Sequence, residues 1–337
     1  MLDVQSIGST RLAKIHSGSE MEELLRPFEF SDTVIVKPNF VDRIEGTYTS
    51  PEALRVLFET LDSKLVVIEG HQLIRVLCDE DKGLCFEYNG EERDWSWIPV
   101  GGWSQFAEND DWDWFVEGEH WGHLKELDRK YLDEKGFTDL FKEFNVDYIN
   151  VSDEIWDGKV VDPAVIRETV EARYGPLYEE KLYGYMPEKL FKLRGSSLIS
   201  FNKFKHYPTF TLKNMFGLIP EPIRCWWHGP KNVRMNPSIL AINKLYAPFF
   251  DIIGVQESLD ITPVPNKEGK FGQHGFKYDL ADGSKLVAVG SDRVELDTLM
   301  AGIAGFDLDD VKYLETANGV LGSYRPELIE QAGSFTV

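Results

Sequence analysis

The segment from Lys203 to His228 concentrates the side chains best able to hold an anion and move a proton. Lys203 and Lys205 would share one face of an extended strand, with His206 on the other. Two neighbouring ammonium groups lower each other's pKa, which would let one act as a base; the same pair could instead clamp a carboxylate or phosphate. His206 could serve as an acid, a base or a metal ligand. Thr211, Lys213 and Asn214 follow, and a helix capped by Thr211 would add backbone donors to an anion cradle. His228 stands between Trp226-Trp227 and Gly229-Pro230, an apolar flank and a rigid turn that would fix an imidazole. Lys37 lies at the end of a β-branched run, with Asn39 two residues on, and a strand's carboxyl end faces the crevice where α/β proteins bind ligands. Each position also has a bland alternative: a solvated lysine, an asparagine capping a turn, or a histidine bonded to a backbone carbonyl.

The charge distribution marks out the same segment. The chain carries a net charge of -21. From Lys189 to Lys244 it holds ten Lys and Arg against a single acid, Glu221, so this stretch is +9 and the remainder -30. Nucleic acid and anionic lipid would be repelled by most of this surface, whereas a small anion would be drawn to the island, unless acidic surface of the same fold pairs with it. Three cysteines, Cys78, Cys85 and Cys225, are too few and too dispersed for a disulfide framework or for an iron–sulfur cluster held by this chain. His71, His206 and His228 could form a three-histidine metal site if the fold gathers them. No P-loop and no G-x-S-x-G elbow occurs, which removes support for P-loop nucleotide hydrolysis and serine-elbow hydrolysis. Neither a long apolar run nor a basic-then-apolar leader is present, so the sequence reading is a cytoplasmic protein without a membrane span.

The elements that must position these residues read as an α/β fold. Apolar β-branched runs predict strands at Asp32 to Pro38, Lys64 to Glu69, Val146 to Val151, Ser197 to Phe201, Phe249 to Val255 and Leu286 to Gly290. Helical spacing follows Ser50-Pro51 and recurs at Phe137 to Phe144, Pro163 to Tyr174, Asn236 to Tyr246 and Asp292 to Ile303. Strand, helix, strand from Asp32 to Glu69 argues a parallel unit. The expectation is one α/β unit over 1–337 with mixed or parallel sheets flanked by helices, with a hinge near 245–270 if it divides into two lobes around a cleft. Six tryptophans and a run of acids between 89 and 128 have no clean period and read as an insertion, either a lid or a packed flap.

Taken together, Lys37-Pro38-Asn39, Ser50-Pro51, Glu69-Gly70, Lys203-Phe-Lys205-His206, Lys213-Asn214-Met-Phe-Gly217 and Ser291-Asp292 resemble the domain-of-unknown-function 362 family, from about Val34 to Gly322. The resemblance favours a functional role for Lys37, but the family name concedes that no general activity is established. Some members carry a ferredoxin-like cluster domain, for which this chain lacks the cysteines. The tryptophan-rich stretch is longer than the family's usual connection, and Gly254-Val-Gln-Glu257 matches its glycine–proline-rich loop weakly. A more distant similarity is to lactate racemase-like proteins, in which a Gly-x-His element is followed by a lysine that holds a nickel-pincer nucleotide and then a metal-binding histidine. Gly70-His71, Lys213 and His228 follow that order.

The leading expectation is an enzyme on a small anionic carboxylate or phosphate metabolite, with His206, Lys205 and His228 catalytic and Lys37, Asn39, Lys203, Thr211, Lys213 and Asn214 binding the substrate. The first alternative is a racemase-like isomerase using a divalent metal or a nickel-pincer nucleotide. The second is a non-catalytic module that docks an acidic partner. Self-assembly into a homo-oligomer is compatible with each.

Overall fold

The computed structural model describes residues 2–41, 43, 47–76, 85–88, 90–94, 108, 122–204, 209–221, 223–259 and 286–335. Lys205, His206 and nearly all of the tryptophan-rich stretch before residue 122 lie outside them, as do residues 260–270 of the expected hinge.

Ten strands are described: β1 (Gln5–Ile7), β2 (Thr10–Lys14), β3 (Thr33–Lys37), β4 (Lys64–Glu69), β5 (Cys85–Tyr88), β6 (Glu91–Asp94), β7 (Asp147–Asn150), β8 (Ser197–Lys203), β9 (Asp251–Glu257) and β10 (Leu286–Gly290). Eight form one mixed sheet in the order β1-β2-β10-β9-β8-β3-β4-β7, while β5 and β6 pair as a separate antiparallel ribbon. From β9 to β7 every pairing is parallel. β10, β2 and β1 extend the β9 side antiparallel. This is the α/β architecture that the alternating strand and helix signals predict.

Both faces of the sheet are buried, which is why its central strands read as continuous apolar runs. Ile35, Val66, Ile68, Leu198 and Ile252 point into one core, shared with the helices Pro163–Tyr174, Met235–Tyr246 and Arg293–Ile303. Val34, Val36, Val67, Ile199 and Ile253 point into the other, against the helices Gly18–Leu25, Pro51–Phe58 and Phe137–Glu143. The predicted start at Ser50-Pro51 is realised: the Ser50 hydroxyl accepts from Ala53 N at 3.0 Å and Pro51 opens the helix.

The connection order fixes where a ligand would bind. From β3 the chain winds outward through β4 to β7, then returns to place β8 on the other side of β3 and β9 beyond it. The order reverses between β3 and β8, the topological switch point at whose carboxyl end open α/β sheets form their ligand crevice.

Candidate functional site

The strand register brings a row of polar residues to this carboxyl edge. Lys37 closes β3 opposite Ser200 of β8, Glu69 closes β4 opposite Asn150 of β7, and Lys203 closes β8 opposite Glu257 of β9. All six are buried. Such groups are tolerated inside only when paired and hydrogen-bonded.

Lys37 is the hub. Its ammonium donates to Pro38 O at 2.7 Å, Glu69 Oε2 at 2.9 Å and Asn214 Oδ1 at 3.3 Å. Asn39 Nδ2 also donates to Asn214 Oδ1, at 3.1 Å, and Asn214 Nδ2 donates back to Lys37 O and Ser200 Oγ. Glu69 accepts two backbone N–H groups besides the lysine, those of Phe40 and Gly70. Burial lowers the Lys37 pKa to about 8, against the opposing pull of Glu69. Lys37, Asn39 and Asn214 are thus brought together, but the three ammonium protons of Lys37 are spent on protein acceptors.

Two glycines let the covering loop approach this hub. A Cβ at Gly217 would stand 2.9 Å from both Lys37 Nζ and Glu69 Oε1. One at Gly70 would stand 2.5 Å from Gly217 O. Neither glycine has a positive φ, so close approach and not turn geometry requires them here. Arg224 clamps the two segments, donating to His71 O at 2.7 Å, Gly217 O at 2.8 Å and Ile219 O at 2.7 Å. It also bonds Gln72 and pairs with Glu221.

Thr211 does not cap a helix as expected. It is the first residue of the four-residue helix Thr211–Asn214, and Phe210 is at the cap. The donors at that helix end are already taken: Asp297 accepts from Thr211 N at 3.0 Å, Thr211 Oγ1 at 2.8 Å and Leu212 N at 2.8 Å, and from Gln256 Nε2 at 3.0 Å. The anion expected at this helix start is therefore the protein's own carboxylate. Lys203 is likewise internal, paired with Glu257 at 3.2 Å with neither side chain exposed.

Lys213 and His228 are held differently. They sit on the successive short helices Thr211–Asn214 and Arg224–His228, and Lys213 is close enough for its charge to act on the His228 ring. Burial chiefly, and then Lys213, push the His228 pKa down to about 3, so the ring is neutral. Its Nδ1–H donates to Asn232 Oδ1 at 3.2 Å, making Nε2 the basic nitrogen, and the ring meets Phe216 edge-on at 4.8 Å.

His71 is built into another cluster. Its Nε2 lies 2.7 Å from Asp153 Oδ1, and its Nδ1 lies 3.2 Å from Asn150 Nδ2 and 3.8 Å from Asp128 Oδ2. The Asn150 amide is oriented by Ser152 N and Asp153 N, which donate to its oxygen, so its NH2 faces the ring. That contact favours a neutral imidazole, and so does burial; two carboxylates favour the charged form and prevail, raising the pKa to about 9. Asp128 also pairs with Arg75. Burial alone would raise the Asp128 pKa, but Arg75 and His71 hold it well below the usual carboxylate range. Of the expected metal triad, His71 and His228 have separate partners, and His206 lies outside the described residues. Among the described residues no group of three or more His, Cys, Asp or Glu could hold a metal ion, and no helix is long and apolar enough to cross a membrane.

Glu69, Asp128, Asn150, Arg224 and Asp297 complete this edge. The sequence signal for Glu69 and Asn150 is their place as the last residue of an apolar strand; Asp128 and Asp297 carry no comparable local signal. No family model, no curated protein and no solved structure matches the chain.

Proposed function

We propose that the chain is an enzyme acting on a small anionic metabolite, a carboxylate or phosphate, at the carboxyl edge of the sheet beside the β3–β8 switch point. The anion rests on Lys213, and His228 takes or gives the proton, a pairing suited to isomerase- or racemase-type proton transfer. Lys37, Asn39, Asn214 and Ser200 form the fixed floor that orients Lys213, the residue next to Asn214.

The coupling of Lys213 to His228 carries this reading. Burial chiefly, and Lys213 with it, hold the imidazole neutral, and an anion docked on the lysine would offset the lysine's part and raise the His228 pKa. The test is an NMR titration of the His228 ring with and without inorganic phosphate, alongside thermal unfolding. Phosphate should raise both the His228 pKa and the Tm, and Lys213→Ala should abolish both effects. A His228 pKa unmoved by phosphate sinks the proposal.

The same coupling favours a second reading, a racemase-like isomerase. A lysine that tethers a nickel-pincer nucleotide needs a neutral imidazole nearby as metal ligand, and Lys213 with His228 fits that requirement. Such a cofactor would supply hydride-transfer chemistry. Intact-mass analysis of protein from its native host should then show an adduct on Lys213, with nickel by elemental analysis; unmodified, metal-free protein refutes this reading.

A further inference from the structure

A cleft of about 260 Å³ opens at the carboxyl end of the edge strand β7, apart from Lys213 and His228. Lys125, Asp128, Arg129, Tyr148, Asn150 and Asp153 line it. Lys125 and Arg129 are one turn apart on the helix Gly122–Glu134 and so share a face. The volume suits a metabolite of a few heavy atoms.

Pairing decides which sign of ligand the cleft favours. Asp128 is neutralised by Arg75, and Asp153 by His71 from beneath. Glu154, also on the wall, is bonded by Lys189 at 2.7 Å. Lys125 is bonded to Asp157 at 2.7 Å. Arg129 is exposed and has no ion-pair partner among the described residues. Every carboxylate of the cleft is therefore matched, and a guanidinium is left over on the wall of a chain whose net charge is -21. A guanidinium fork binds a carboxylate through two parallel hydrogen bonds, which a lone ammonium does not offer.

We infer that this cleft is a binding site for a small carboxylate anion, anchored by Arg129 and walled by the Asp153–His71 pair. His71 is fully buried and Asp153 is partly exposed to the cleft, so the imidazole fixes the carboxylate wall from behind and does not meet the ligand. Asp153 is thus a positioning group, and Arg129 supplies the recognition.

Acetate is the probe. Thermal unfolding of the whole chain is followed with increasing sodium acetate, against sodium chloride at equal ionic strength. Wild type and Lys213→Ala should both show an acetate-specific rise in Tm, and Arg129→Ala should lose it, with the acetate affinity measured by calorimetry falling about tenfold or more. Arg129→Lys should restore only part of the response, since it keeps the charge and loses the fork. Arg129 is exposed, so its replacement should leave the acetate-free Tm unchanged. An acetate response in Arg129→Ala equal to that of wild type, or none in wild type beyond chloride, overturns the inference. Loss in Lys213→Ala with retention in Arg129→Ala also overturns it, and would assign the anion to the site proposed above.

Discussion

Lys37–Glu69 and Lys203–Glu257 are both buried lysine–glutamate pairs at the carboxyl ends of neighbouring parallel strands, one on each side of the switch point. Their surroundings differ. The first is joined to Asn39, Asn214 and the backbone of Phe40 and Gly70, and the loop at Gly217 lies against it. The second is bonded across the register, and Glu257 also accepts from Leu259 N, just past its own strand. A buried ion pair contributes little net stability, because desolvation offsets the attraction, whereas breaking one leaves a stranded charge. The same pair of residue types therefore joins two strand ends in one place and underlies the proposed site in the other, and the difference lies in what is bonded to the pair.

The largest expected effect tests that likeness and that difference together. Lys37→Met and Lys203→Met should each lower the free energy of unfolding in urea by roughly 3–5 kcal/mol, the cost of an unpaired buried carboxylate. Only Lys37→Met should also weaken phosphate binding, because only Lys37 is bonded to Asn214. Equal loss of phosphate binding in both variants would erase the distinction between the pairs.

A pH series isolates Lys37. Its folded pKa, about 8, lies below its unfolded value, so the folded state holds fewer protons between about 8 and 10.5. Stability attributable to Lys37 should therefore rise across that window, by up to ~3 kcal/mol. The unfolding free energy of wild type minus that of Lys37→Met should climb from pH 8 to 10; a flat difference contradicts the shift. A smaller effect comes from the covering loop. Gly217→Ala forces a methyl group against Lys37 and Glu69 and should cost about 1–3 kcal/mol. Arg55→Ala on the exposed pair with Glu143 should leave the urea midpoint unchanged, setting the baseline for the buried substitutions.

The sheet was largely legible from the chain. β3 and β4 announce themselves as β-branched runs stopped by Pro38 and Gly70, and burial on both faces is the reason those runs do not alternate. The helix Pro51–Phe58 was legible from its cap and first residue. The strands β1 and β2 were not, because they are three and five residues long and mix polar with apolar side chains. At the proposed site, Lys37, Asn39 and Asn214 were nominated from the sequence, but their shared bonds depend on a register that puts Lys37 opposite Ser200. The role expected of Thr211 failed for a long-range reason: the carboxylate that occupies its helix start comes from Asp297, 86 residues further along the chain. Local sequence can nominate a donor and still not reveal that a distant acceptor has already claimed it.

That seat of Asp297 has a mechanical consequence. The carboxylate joins the helix Arg293–Ile303 to the first turn of Thr211–Asn214 through three bonds, and to β9 through Gln256. Lys213 is therefore mounted on a bracket whose other arm is the carboxyl-terminal part of the chain. A displacement of that helix would be transmitted to Lys213 and Asn214 as a shift of one rigid body, so strain applied far along the sequence would arrive as a change of aim at the switch point.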